Sequence, residues 1–136
     1  MKLLLTKKFA FEMAHALEGY NGKCGNLHGH SYHLEVTVEG PAVDDDGMSI
    51  DFHILKDIVQ RTLIDRYDHS LVLKKGSRFS AASAASPNLI EVTFNPTTEN
   101  LLIHFAKILE TELPQGTILH SLRLAETDTS VAELLL

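Results

Sequence analysis

The chain has a single cysteine, no tryptophan and four prolines among its 136 residues. A lone thiol cannot close an internal disulfide, so nothing here calls for an oxidising compartment. Long apolar runs are missing as well. Leu3-Leu4-Leu5 is cut off by Lys7 and Lys8 before a signal-peptide core can form, and no segment approaches the roughly 20 apolar residues of a bilayer span. These absences predict a cytoplasmic protein with no membrane partner. Cations are scarce, 12 Lys and Arg against 18 Asp and Glu for a net charge of -6. That balance argues against a nucleic-acid partner, because a phosphate backbone demands a basic face. A small anionic ligand remains compatible, since it needs only a few local cations. Signatures such as His-Glu-x-x-His and the deaminase Pro-Cys-x-x-Cys are absent too.

What is present is an ordinary globular composition, 44% apolar and 22% charged, at a length that predicts a single domain over residues 1–136 with its own core. Odd positions from Leu3 to His15 are mostly apolar, the signature of a half-buried strand. Ser31 to Glu39 alternates almost strictly and predicts a second strand. Asp51 to Tyr67 carries Phe52, Leu55, Ile58, Val59 and Leu63 at helical spacing, with Asp51 as N-cap. Lys75 to Pro87 has no period and reads as a long loop. Leu89 to Phe94 reads as a short strand. Asn95-Pro96 predicts a second helix with Asn95 as cap and Pro96 at its first position, stopped by Pro114-Gln115-Gly116. Thr117 to Glu126 alternates again, with Ile118, Leu122, Leu124 and Glu126 on one face. The order predicts an α+β fold with a four-stranded antiparallel sheet and two helices. Its unprotected sheet edges predict oligomerisation.

Of the eight histidines, His28-Gly29-His30 leads into the clearest strand. Side chains two apart on an extended segment share a side, so both imidazoles face the core side, with Gly29 between them expected to leave room for an ion. His15 ends the first strand in the same way. A hairpin of these strands would bring three imidazoles together, the donor set of a catalytic zinc with an open position. Cys24, in the glycine-rich loop four residues before His28, is either a fourth ligand closing a structural site or a free thiolate acting as base. Asp68-His69 follows the first helix and can form a proton relay, the acid fixing the imidazole tautomer. Glu126 closes an otherwise apolar face with a carboxylate suited to a ligand bearing adjacent N–H donors.

Taken together, Phe11-Glu12-Met13-Ala14-His15, Cys24-Gly25-Asn26-Leu27-His28-Gly29-His30-Ser31-Tyr32, Gly47-Met48-Ser49-Ile50-Asp51-Phe52, Asp68-His69, Asn95-Pro96-Thr97-Thr98-Glu99-Asn100 and Glu126-Thr127 resemble the 6-pyruvoyl-tetrahydropterin synthase superfamily. They come in that family's order and cover nearly the whole chain. The Cys-x₃-His-Gly-His spacing looks like the bacterial queuosine branch, 6-carboxy-tetrahydropterin synthase. The resemblance implies the tunnelling fold, a four-stranded antiparallel sheet with two helices on one face, assembled as a homo-hexamer of two trimers. It implies zinc on His15, His28 and His30, with Cys24 as general base. Asp68 and His69 would relay the proton from a neighbouring subunit. Glu126 would anchor the pterin amino-imine edge and share in the relay, and Thr97, Thr98 and Glu99 would contact the ring. The implied reaction converts 7,8-dihydroneopterin triphosphate to 6-carboxy-5,6,7,8-tetrahydropterin, releasing acetaldehyde and triphosphate. The alternatives are 6-pyruvoyl-tetrahydropterin formation by triphosphate elimination and, in a different class, a non-catalytic structural zinc module. Three features depart from the family pattern. Ala16 stands where Arg is common, Val131 and Leu134 replace aromatics, and the 75–87 loop is long.

Overall fold

In the computed structural model, which describes residues 1–136, the apolar alternation at the N-terminus builds β1, Leu4–His15. It pairs antiparallel with β2, His28–Glu39, in an unbroken register from Leu4 opposite Glu39 to His15 opposite His28. β2 therefore starts three residues earlier than its alternation predicts, and both of its leading histidines lie in the strand. β2 pairs antiparallel with β5, Ile118–Thr127, which pairs with β6, Ser130–Leu135. On the other side of β1 lie β3, Ser70–Lys74, and β4, Leu89–Val92, both in parallel pairings.

The sheet thus has six strands in the order β4-β3-β1-β2-β5-β6, not the expected four, and it is mixed rather than purely antiparallel. β3 escapes a sequence reading because Leu71-Val72-Leu73 is too short to display a period. β6 escapes because its burial comes from pairing on one edge only.

The first helix begins as expected. Asp51 caps α1, Phe52–Val59, by accepting from the His53 amide at 2.8 Å. The helix passes through a π turn, Gln60–Ile64, and closes with a last α turn, α2, Asp65–Tyr67. Within the π turn the Thr62 hydroxyl donates to the Ile58 carbonyl at 2.7 Å, competing for the acceptor of the regular helical ladder. The segment expected to be a loop contains a single-turn helix, α3, Ser80–Ser83.

The long helix α4, Thr98–Glu112, is capped by Thr97, not Asn95: the Thr97 hydroxyl accepts from the Asn100 amide at 3.2 Å. Asn95 is occupied elsewhere, as described below. Leu55, Val59, Leu63, Leu101, Phe105 and Leu109 pack against Phe11, Tyr32, Leu34, Val36, Leu122 and Leu124 in one core. The two long helices therefore cover one face of the sheet, as expected.

The face assignment of β5 needs one correction. Its register slips between Thr37 and Val38, whose partners are Ser121 and Leu119, so an extra residue bulges at His120. The bulge resets the parity, and Leu119 shares the buried face with Leu122 and Leu124 while Ile118 is 63% exposed. Glu126, beyond the bulge, keeps the phase of Leu122 and Leu124. No helix of the structure is long and apolar enough to cross a membrane.

Candidate active site

At the end of the hairpin, His15 and His28 are direct cross-strand partners, and His30 lies two residues along β2. All three project to the core face, because opposed residues share a face and alternate residues along a strand share one too. His15 is fully buried, and its Nδ1 lies 2.7 Å from the Pro96 carbonyl. The Nδ1 of His28 is likewise 2.7 Å from the Asn26 carbonyl. A carbonyl can only accept, so both Nδ1 atoms carry a proton, and in a neutral ring the Nε2 atom then presents its lone pair. These two Nε2 atoms are only 3.0 Å apart. Two lone pairs at that distance repel unless a cation lies between them.

The Nε2 of His30 is buried with no hydrogen-bond partner. Glu126 Oε1 lies 3.2 Å from it and 3.4 Å from His15 Nε2, completing a group whose ligand atoms all fall within 4.8 Å of one another. Three nitrogens and a carboxylate oxygen, two of the imidazoles fixed from behind by backbone carbonyls, can hold a divalent metal ion. Burial pushes the pKa of His15 and of His30 below its ordinary value, with the neighbouring His28 acting the same way against the pull of Glu126. Both imidazoles are thereby kept neutral, the form that ligates.

The backbone acceptor for His15 comes from the Asn95-Pro96-Thr97 stretch. The Asn95 side chain accepts from the Glu18 amide at 2.9 Å and donates to the Glu18 carbonyl at 3.1 Å. That two-way clamp ties the loop after β1 to the start of α4 and sets Pro96 behind the ring.

Beside the cluster opens a cavity of about 370 Å³ lined by Cys24, Thr97, Thr98, Glu99 and Glu126, with Tyr20 and the Ser130–Ala132 stretch of β6 completing the wall. Every residue singled out for ring contact in the sequence thus borders one space, together with the thiol. Cys24 is half-buried on a 3₁₀ turn, Lys23–Gly25, whose return to β1 is sealed by the Leu17 amide donating to the Cys24 carbonyl at 2.9 Å. The sulfur is not part of the four-residue ligand group.

Asp68 and His69 lie elsewhere. The Asp68 carboxylate accepts from the Glu12 amide at 2.9 Å and lies 2.9 Å from His69 Nδ1, while the His69 amide donates to the Glu12 carbonyl at 2.6 Å. The Glu12 amide, with His69 adding to it, holds the Asp68 carboxyl below its usual range. His69 has φ +60°, a conformation sparsely populated by residues other than glycine. It lines a separate groove of about 350 Å³ with Glu12, Gly29 and Ser31, and of the three cluster histidines only His30 touches it.

Gly29 therefore does not make room for an ion. It points to the face opposite the histidines, and a Cβ there would meet Met13 and Ala14 rather than any imidazole.

Several residues were missed by the sequence reading. Tyr20 and the β6 wall carry no chemical signal, and the carbonyls of Asn26 and Pro96 are invisible in a sequence. Tyr32 was read only as core, yet its hydroxyl is buried without a partner beside the imidazoles of His15 and His30, at ring separations of 6.2 and 5.5 Å.

The sequence profile of 6-pyruvoyl tetrahydropterin synthase matches residues 4–135. The chain belongs to this family. It is an enzyme of the pterin synthase family by that membership. Among its relatives is a 6-carboxy-5,6,7,8-tetrahydropterin synthase from Haemophilus influenzae, 35% identical over 95% of this chain and 96% of that one. Another of the same name, from Aquifex aeolicus, is 30% identical over 98% of both chains. Among solved structures, an uncharacterized protein from Wolinella succinogenes superposes with a TM-score of 0.85 at 19% identity, covering 99% of this chain and 98% of that one. The Caenorhabditis elegans 6-pyruvoyl tetrahydropterin synthase superposes with a TM-score of 0.73 at 24% identity, covering 99% and 96%. These likenesses establish the tunnelling fold of the family.

Proposed function

We propose that this protein is a zinc-dependent lyase that converts 7,8-dihydroneopterin triphosphate to 6-carboxy-5,6,7,8-tetrahydropterin, with release of acetaldehyde and triphosphate, in queuosine biosynthesis. The observation that carries the reading is that Glu126 belongs both to the ligand group with His15, His28 and His30 and to the wall of the cavity that Cys24 lines. Relatives bearing the 6-carboxy name, at 30–35% identity over nearly the full chain, support the branch.

In this reading His15, His28 and His30 hold zinc, which when bound acidifies the proton on the first side-chain carbon of the substrate. Cys24, outside the ligand group but on the wall of the same cavity, takes that proton as general base. Glu126 accepts from the amino-imine edge of the pterin, and Thr97, Thr98 and Glu99 border the ring. Asp68 and His69 move the proton onward, each reaching the site of a neighbouring subunit in a homo-hexamer. Within one chain His69 lines a different groove from the cavity of Cys24, which favours this shared arrangement. The whole activity resides in one domain, residues 1–136.

The test is to incubate the zinc-loaded protein with 7,8-dihydroneopterin triphosphate and identify the products by mass spectrometry. Acetaldehyde and the 6-carboxy pterin are expected. Formation of 6-pyruvoyl-tetrahydropterin would move the chain to the other branch, and no turnover at all would favour a structural metal module.

A further inference from the structure

The segment 75–87 makes one hydrogen bond that reaches the candidate site. Arg78 Nη2 donates to the Gly25 carbonyl at 2.9 Å. Gly25 ends the 3₁₀ turn that carries Cys24, so the guanidinium grips the carbonyl of the residue immediately after the thiol-bearing one.

The turn has few other restraints. Its residues are held by the Leu17 amide on the Cys24 carbonyl and by two short-range bonds, Gly25 amide to Gly22 carbonyl at 3.0 Å and Asn26 amide to Lys23 carbonyl at 3.1 Å. Gly22, at its N-terminal end, provides no side-chain cap. Gly25 is itself pinned, because a Cβ there would collide with the Tyr20 carbonyl oxygen.

Arg78, by contrast, stands on an organised base. Ser77 is buried, its amide donates to the Lys74 carbonyl at 3.0 Å, and its hydroxyl accepts from the Phe79 amide at 3.2 Å. The guanidinium also lies 4.7 Å over the ring of Phe79, which fixes its direction. A planar guanidinium held at one end and bonded to a carbonyl at the other behaves as a strut rather than a solvated surface charge.

We propose that Arg78 is a positioning residue for Cys24, holding the Lys23–Gly25 turn so that the thiol faces the cavity it shares with Glu126 and Thr97. The proposal deepens the functional reading and rests on Cys24 being the reactive group. It also gives the long segment a purpose: 75–87 carries the strut from the edge of β3 to the turn between β1 and β2.

Because the chain has one cysteine, alkylation by iodoacetamide reports on this thiol alone and needs no turnover. Arg78→Met should leave the melting temperature nearly unchanged and raise the alkylation rate about threefold or more as the turn loosens. Under the proposed reaction it should lower kcat about tenfold with little change in KM, since a misplaced reacting group weakens the chemical step. Arg78→Lys, which keeps a charged donor, should recover most of both readouts. Arg78→Ala, which removes the donor altogether, gives the same reading as Met should the Met variant prove insoluble.

Unchanged alkylation and unchanged kcat in a folded Arg78→Met protein would overturn the proposal. A rise in KM alone, with alkylation unaltered, would overturn it as well and place Arg78 on the substrate. Failure of the underlying functional reading looks different: Cys24→Ala would stay active while the alkylation contrast at Arg78 persisted.

Discussion

At the scale of single residues, burial and hydrogen bonding set the histidines for a metal. Burial holds His15, His30 and, away from the site, His104 below the ordinary value of 6.5. The unfolded chain then binds protons that the folded chain refuses. Stability of the metal-stripped protein is therefore complete above 6.5 and declines as pH falls through the interval beneath it. The urea midpoint of chelator-treated protein should drop between about pH 7.5 and about pH 5.5, a window above the carboxylate range. A flat midpoint would refute the burial argument.

If the cluster holds zinc as proposed, His28→Ala should abolish its stoichiometric binding. Cys24→Ala should retain the metal and lose nearly all turnover, because the sulfur lies outside the ligand group. Zinc loss in Cys24→Ala equal to that in His28→Ala would make the thiol a ligand. Glu126 sits within reach of both the imidazoles and the cavity. Glu126→Gln swaps one acceptor oxygen for a donor and leaves a mismatch against ring N–H groups, costing roughly 1–3 kcal/mol in substrate affinity. Titration calorimetry with a pterin checks this, and unchanged affinity counts against ring recognition by Glu126.

At the scale of elements, the start of α4 joins stability to the site. Thr97 caps the helix, Asn95 clamps Glu18, and Pro96 orients His15, all within three residues. Thr97→Ala should cost about 1 kcal/mol of stability by chemical denaturation. Asn95→Ala should add a functional loss that a pure cap would not show, because releasing Glu18 frees the Pro96 carbonyl from its place behind His15. Lowered zinc affinity in Asn95→Ala but not in Thr97→Ala is the expected pattern, and equal affinities would separate the clamp from the metal. The bulge at His120 works on this scale too. It brings Leu119 onto the core face and leaves Glu126 in phase with Leu122 and Leu124, pointing at the histidines.

At the scale of the whole molecule, His69, paired with Asp68, and Cys24 border different spaces of one chain. If a neighbouring subunit supplies the pair, mixing inactive Cys24→Ala with inactive His69→Ala protein should restore part of the activity once subunits exchange. Mixed assemblies would then contain some sites with both residues intact. No rescue after verified exchange would confine the relay to its own chain. The sheet offers edges for such contacts at β4 and β6, and β6 leaves Val131 43% and Leu135 70% exposed.

The convergence of the three histidines was legible in the sequence because most of its information is local. Residues two apart on a strand share a face, so His28 and His30 had to point together, and the parity of β1 sent His15 the same way. Asp51 was legible as a cap for the same reason, since capping involves only the next few amides. What only the tertiary structure decided is non-local. The strands β3 and β6 are defined by the partners they pair with, and a run as short as Leu71-Val72-Leu73 carries no period of its own. A bulge shifts parity without leaving a mark in composition, which is why Ile118 was placed on the wrong face. Gly29 was assigned to the ion although alternation itself turns it away from the imidazoles. Asn95 was taken for a cap because its amide partner, Glu18, lies 77 residues away in the chain, and the grip of Arg78 on Gly25, across 53 residues, exists only once the sheet has brought the two loops together.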